Sequence, residues 1–157
     1  MRIGFASDIH QLVENRKLIL GGVVVPFEKG EKAHSDGDVV YHALGESILG
    51  ALALGDLGTH FPDNDDKYKD MDSSLIIKEV TRLMDERGYK VNNVDISITL
   101  EKPKLKPYIE NMRQNIARLL NTDISNVSLK AGTNEKMDEI GKGNAVKAES
   151  IVLLIEK

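Results

Sequence analysis

The sequence predicts an α+β fold: a mixed four-stranded sheet with helices on one face, plus a β-hairpin. Strand-like and helix-like stretches follow one another without strict alternation, the pattern of a layered α+β arrangement. Three stretches carry apolar residues at helical spacing, and four others carry period-two alternation or an apolar run. A Gly21-Gly22 pair between LIL and VVV signals a hairpin. Helices on one face leave the other bare, so a second copy of the chain is the expected cover.

Residues 1–10 read as a strand, with Ile3, Phe5 and Ser7 on one face and Asp8 and His10 on the other. Residues 17–26 form the hairpin, and 28–37 are polar and irregular. Asp36 or Asp38 then caps a helix. Val39, Ala43, Ser47 and Gly50 run along one side of it, and Val40, Leu44, Ile48 and Leu52 along another. A helix apolar on most sides is expected to be buried. Residues 56–66 are dense in turn formers and read as a loop. A second helix spans 72–87, with Ile76, Ile77, Val80, Leu83 and Met84 inward and Gly88 as its stop. Residues 91–100 alternate at Val94, Ile96 and Ile98, a half-buried strand. The third helix runs over 107–120, with Pro107 in its first turn and Ile109, Met112, Ile116 and Leu119 inward. Residues 127–131 form a short strand. Residues 145–155 form the last, apolar from Ile151 onward.

No linker, repeat or low-complexity segment divides the 157 residues, so residues 1–157 read as one domain. With 41% hydrophobic and 29% charged residues, the chain is neither disordered, collagen-like nor a coiled-coil rod. The longest apolar run, 48–57, is too short to span a bilayer and is broken by Gly50 and Gly55. No basic stretch leads into an apolar one at the start, so a cytoplasmic protein is expected. The absence of cysteine excludes a disulfide framework and leaves His, Asp and Glu as the ligands for any zinc. A net charge of −4 with no tryptophan argues against nucleic-acid binding.

Asp8 and His10 are two apart on a strand and share a face, where they could share a metal. A lone D-x-H is as readily a surface Asp beside a half-exposed His. His34-Ser35-Asp36-Gly37-Asp38 leads into His42. Asp38 and His42 are four apart, so Asp38 is expected to orient the His42 ring and leave its other nitrogen for a metal. His34 and Ser35 precede a helix N-terminus, where free N–H groups attract anions. A capped helix alone would also place an Asp there. Asp8, His10 and His42 together would make a three-ligand zinc site with an open fourth position, the catalytic pattern. Lys130 to Lys136 hold a hydroxyl, Thr133, and a carboxylate, Glu135, suited to a phosphate and its Mg²⁺. Asp56 to Asp65 suit a polyhydroxyl ligand, with a solvated acidic loop as the alternative. Lys102-Pro103-Lys104-Leu105-Lys106-Pro107 is expected to be extended, with free backbone groups able to read a base. His60 reads as surface.

Taken together, these motifs resemble the 2-C-methyl-D-erythritol 2,4-cyclodiphosphate synthase family of the non-mevalonate isoprenoid pathway. The resemblance covers nearly the whole chain. It is carried by H-S-D-G-D-x-x-x-H-A-L from His34, by A-L-G-D-L-G-x-x-F-P-D-x-D from Ala53, by Pro103-Lys104, and by T-x-E-K from Thr133. It implies a homotrimer with active sites between subunits. The implied reaction converts 4-diphosphocytidyl-2-C-methyl-D-erythritol 2-phosphate to the 2,4-cyclodiphosphate and CMP. Asp8, His10 and His42 would then bind Zn²⁺, one per subunit, and Glu135 would help hold Mg²⁺ or Mn²⁺. His34 and Thr133 would steady the transition state. Ile9, Ser35, Asp56, Leu57, Gly58, Phe61, Pro62, Asp63, Asn64 and Asp65 would line the substrate pocket. Leu100, Glu101, Lys102, Pro103, Lys104, Leu105 and Lys106, with Ala131, Gly132 and Asn134, would hold the cytidine end. Asp38 and Glu46 would support the site from behind. At the trimer axis, where relatives can hold an isoprenoid diphosphate in an apolar cavity, this chain has Ser7 and Glu139, with Lys142 as the basic residue at the mouth. A zinc-dependent phosphohydrolase would use the same three ligands, and an inactive trimeric nucleotide- or metal-binding module would keep the same fold.

Overall fold

The protein is described here by a computed structural model of residues 1–157. Strand β1 (Arg2–Glu14) is followed by the hairpin β2 (Leu18–Leu20) and β3 (Val23–Val25), then by β4 (Lys29–Glu31). Helix α1 (Val39–Ala51), the short α2 (Leu57–His60) and α3 (Ser74–Glu86) lead to β5 (Tyr89–Thr99). Helix α4 (Ile109–Leu119), β6 (Val127–Gly132), the short α5 (Asp138–Gly141) and β7 (Ala145–Glu156) complete the chain.

The sheet has five strands, not four, in the order β4-β1-β7-β5-β6. Strands β5 and β6 run parallel and all other pairs are antiparallel, so the sheet is mixed as expected. The additional strand is β4, which pairs with the far end of β1 through Leu12 and Glu31. The hairpin pairs Leu18–Leu20 with Val23–Val25, across the turn read from the two glycines.

Alternation divides the sheet into two faces. Ile96, Ile98, Val146, Ala148, Val152 and Leu154 point inward and are buried beneath the helices. Helix α1 is buried along most of its surface and packs on β1 and β7. It lies so close to β1 that a Cβ on Gly4 would sit 1.9 Å from the Ser47 carbonyl oxygen. Ser47 and Ser150 share a buried hydrogen bond, Oγ to Oγ, at 2.9 Å between α1 and β7. On the other face Ile3, Phe5, Ile9 and Ile151 are 71, 59, 55 and 48% exposed, with no helix over them. No helix is long and apolar enough to cross a membrane.

Candidate active site

Asp38 caps α1, its carboxylate accepting the N–H groups of Val40 and Tyr41 at 3.1 Å. One turn along α1, His42 faces β1, where the inward side chains in this stretch are Asp8 and His10. Asp8 Oδ2 lies 3.0 Å from His10 Nε2 and 3.5 Å from His42 Nδ1, and the two ring nitrogens are 3.3 Å apart. All three ligand atoms lie within 4.8 Å of one another. Behind them, His10 Nδ1 donates to the Gly37 carbonyl at 2.7 Å. His42 Nε2 lies 3.2 Å from both Ser35 Oγ and Ser73 Oγ.

This donor set fits a zinc-like cation. Two imidazoles and one carboxylate suit it, and the outer nitrogens are occupied, so the inner lone pairs converge on one point. Burial works against charge on Asp8, but the neighbouring His10 and His42 rings outweigh it and hold the carboxyl well below its usual range. Burial also opposes charge on His10, and Asp8 reverses that, raising it.

The triad opens into a cleft of about 350 Å³. His34, Ser35, Glu46, Leu57, Gly58, Phe61 and Asp63 line it, together with Lys32, Ala33, Tyr68, Met71 and Ile76. His34 fastens the loop over the cleft: its Nε2 donates to the Asp65 carbonyl at 3.3 Å and its own carbonyl accepts from Asp70 N–H at 2.7 Å. A second cleft of about 340 Å³ is lined by Leu100, Glu101, Pro103, Lys104, Leu105, Lys106, Ile109, Ala131, Gly132 and Thr133. The two clefts share no residue.

A model of the YgbB family matches residues 1–155. The 2-C-methyl-D-erythritol 2,4-cyclodiphosphate synthase of Brachyspira hyodysenteriae is 55% identical over 98% of this chain and 98% of its own length. That of Chloroherpeton thalassium is 54% identical over 100% of this chain and 99% of its own. The chain belongs to this synthase family. Among solved structures, the CDP complex of IspF from Plasmodium falciparum superposes with a TM-score of 0.87 at 37% identity, over 99% of this chain and 96% of that one. The bifunctional IspDF of Campylobacter jejuni superposes at 0.95 and 39% identity over 99% of this chain, which spans 42% of that longer protein.

Several positions differ from what the sequence led one to expect. Asp38 does not orient His42: its carboxylate is fully buried and also accepts from Gly21 N–H at 3.0 Å and Gly22 N–H at 2.7 Å. A carboxylate folded back over the end of a helix cannot also reach a ring in the next turn. Ile9 stands between two triad residues, but its side chain is on the opposite sheet face. Asp56 is occupied in capping α2, where it accepts from both the N–H and the hydroxyl of Thr59. The segment after Leu100 is not extended. It bends through a cis bond at Pro103 and enters a 3-10 turn at Lys106–Tyr108. Pro62, Asn64, Asp65, Lys102, Asn134 and Glu135 lie in the expected loops but line neither cleft. Glu46 does lie beside the first cleft, its Oε1 accepting Leu57 N–H at 3.4 Å.

Glu101 has a role the sequence did not reveal. Its Oε1 accepts the N–H groups of Asn134 at 2.8 Å and Lys136 at 3.1 Å. It thereby clamps a loop in which Glu135, Lys136 and Asp138 all have left-handed φ, a conformation that costs energy in non-glycine residues. Lys142 lies outside both clefts and forms an exposed ion pair with Glu139 at 3.0 Å. His60 is half-buried, its Nε2 donating to the Leu54 carbonyl at 3.0 Å. Ser73 and Tyr68 were missed because nothing local marks them. Ser73 looks like an ordinary helix cap, and Tyr68 lies in a charged stretch.

Proposed function

We infer that this protein converts 4-diphosphocytidyl-2-C-methyl-D-erythritol 2-phosphate to 2-C-methyl-D-erythritol 2,4-cyclodiphosphate with release of CMP. The observation that carries the reading is the Asp8–His10–His42 cluster, opening into a polar cleft, in a chain 55% identical to a synthase of that name.

The substrate brings its own nucleophile. An oxygen of the 2-phosphate bonds to the β-phosphorus, and the bond from that phosphorus to the bridging oxygen breaks, so CMP leaves carrying that oxygen. The protein must position two anionic groups in line and offset their charge. Asp8, His10 and His42 would hold Zn²⁺, and Glu135 would help hold Mg²⁺ or Mn²⁺ on the diphosphate. These cations supply charge neutralisation and polarise the phosphorus. Ser35 and Thr133 would donate hydrogen bonds to phosphate oxygens, and His34, its Nε2 proton held by the Asp65 carbonyl, would steady the transition state by fixing the loop beside them. Leu57, Gly58, Phe61 and Asp63 would enclose the methylerythritol, and the second cleft would take the cytidine.

The working unit is a homotrimer with shared sites. Gly132 on β6 lies in one cross-strand row with Thr99, Lys147 and Ile9, next to His10 on β1. That row crosses three strand spacings, about 14 Å, too wide for one diphosphate to meet Thr133 and the triad of the same chain. A neighbouring copy placed over the apolar outer face would bring its second cleft to this chain's first.

Incubating the purified protein with the substrate and following phosphorus NMR tests the reading. Cyclic diphosphate and CMP are expected, whereas inorganic phosphate would indicate a phosphohydrolase and unchanged substrate an inactive binding module.

A further inference from the structure

A neutral imidazole carries one proton, so His42 can offer Nδ1 as a ligand only if the proton sits on Nε2. For His10 the choice is made by the Gly37 carbonyl, which can only accept. For His42 the neighbours are two hydroxyls, and a hydroxyl can donate or accept.

Ser73 removes that freedom. Its Oγ lies 2.5 Å from Asp36 Oδ1, and its N–H donates to Asp36 Oδ2 at 3.0 Å. A carboxylate accepts and does not donate, so the single Ser73 hydroxyl proton is committed to Asp36 and only lone pairs face His42. If the His42 proton sat on Nδ1, two lone pairs would oppose each other at 3.2 Å around a fully buried oxygen. That is costly where water cannot intervene. Ser35, at the same distance from Nε2, cannot enforce the choice. Its hydroxyl accepts from Gly37 N–H and keeps a proton of its own to place. Ser73 also immediately precedes α3 yet makes no capping bond there, so its side chain serves this contact instead of its own helix.

Resting on the metal-centre reading given above, we propose that Ser73, held by Asp36, is the positioning residue that fixes His42 with its proton on Nε2 and its Nδ1 lone pair turned toward Asp8 and His10. The chain thus ties the start of α3 to a candidate ligand on α1, the task that sequence spacing had assigned to Asp38.

The test is zinc affinity, measured by competition with a chromophoric chelator, together with ring-nitrogen NMR of His42 in the metal-free protein. Ser73→Ala should weaken zinc binding about 10- to 100-fold, the usual loss when the partner of a ligating histidine is removed. Asp36→Asn, which changes no packing volume and can accept only one of the two Ser73 donors, should show a smaller loss in the same direction. Ser73→Thr, which keeps the hydroxyl, should recover affinity, and Ser35→Ala should lose less than Ser73→Ala. Unfolding midpoints of the metal-free variants separate misfolding from loss of the contact. The wild-type spectrum should place the proton on Nε2. A proton on Nδ1, or a Ser73→Ala affinity within about twofold of wild type, overturns the proposal. Failure of the metal reading looks different: wild type would bind no zinc, or His42→Ala would bind it as well as wild type. The proton position on His42 would still decide the role of Ser73.

Discussion

Thr133 and Glu31 illustrate two ways in which one side chain bears on the whole. Thr133 sits exposed at the end of β6, beside the cleft that would hold the nucleotide. A hydroxyl aimed at charge that develops on the β-phosphate helps the transition state more than the ground state. Thr133→Ala should therefore lower kcat far more than it weakens CDP binding. Equal losses, measured by steady-state kinetics and calorimetry, would mean uniform binding instead. Glu31 takes no part in the reaction. It is fully buried and accepts N–H groups from Ile19 at 3.2 Å and Val39 at 3.3 Å. Burial, reinforced by the neighbouring Asp38 charge, pushes its carboxyl up from 4.5 to about 10. The native state then keeps a proton that the unfolded chain releases. Stability contributed by this group is full below its ordinary value and is lost as pH rises toward 10, by at most about 1.4 kcal/mol per pH unit. Asp38, raised to about 6 mainly by burial, acts in the same sense over a narrower window. Urea unfolding between about pH 6 and 9 should show wild-type stability falling and the Glu31→Gln variant nearly flat. Parallel slopes would mean that Glu31 is ionised in the native protein.

At the scale of elements, the decisive packing is α1 against β1, because it brings His42 onto Asp8 and His10. Gly4 permits the approach. Gly4→Ala must push α1 outward and should cost about 1–3 kcal/mol, as overpacked cores do, read as a lower denaturant midpoint at unchanged slope. The same shift should weaken zinc binding, because the triad spans the displaced interface; a destabilised variant with wild-type zinc affinity would show that the triad is set locally. The elements that were legible in the sequence are those with strong local signals. The hairpin followed from two glycines between apolar triplets, α1 from its nearly uniform apolar surface, and β5 from Val94, Ile96 and Ile98. Strand β4 was not legible, since Lys29-Gly30-Glu31 has no alternation and is a strand only because the distant end of β1 offers it a partner. The candidate triad was legible for the same reason as the hairpin: two strand residues share a face, and a helix histidine follows a cap. What sets each ring was not legible. The Gly37 carbonyl and the Ser73 hydroxyl are tertiary partners, 27 and 31 residues away from the rings they touch. Asp38 illustrates the converse: spacing placed it near His42, and the stronger demand of four backbone N–H groups took its carboxylate elsewhere.

At the scale of the molecule, the question is where a complete site exists. Within one chain the triad and Thr133 belong to clefts that share no residue, on strands separated by β7 and β5. The exposed apolar face around Phe5 and Ile151 gives a reason for copies to associate. In a ring of three, each site would draw its triad from one subunit and its Thr133 from the next. This arrangement makes a prediction that fold alone does not. His42→Ala and Thr133→Ala trimers should each be strongly impaired, because every site in either lacks one component. In trimers reassembled from an equal mixture, a site is whole when a Thr133→Ala chain supplies the triad and a His42→Ala chain supplies the hydroxyl. Random assembly makes roughly a quarter of the sites whole in a head-to-tail ring. Reassembled mixtures should therefore recover about that fraction of wild-type turnover, well above the summed residual rates of the two parents, while unmixed variants taken through the same treatment recover nothing. If each site were built within one chain, every chain in the mixture would carry a defective site and the rate would stay at the average of the parents.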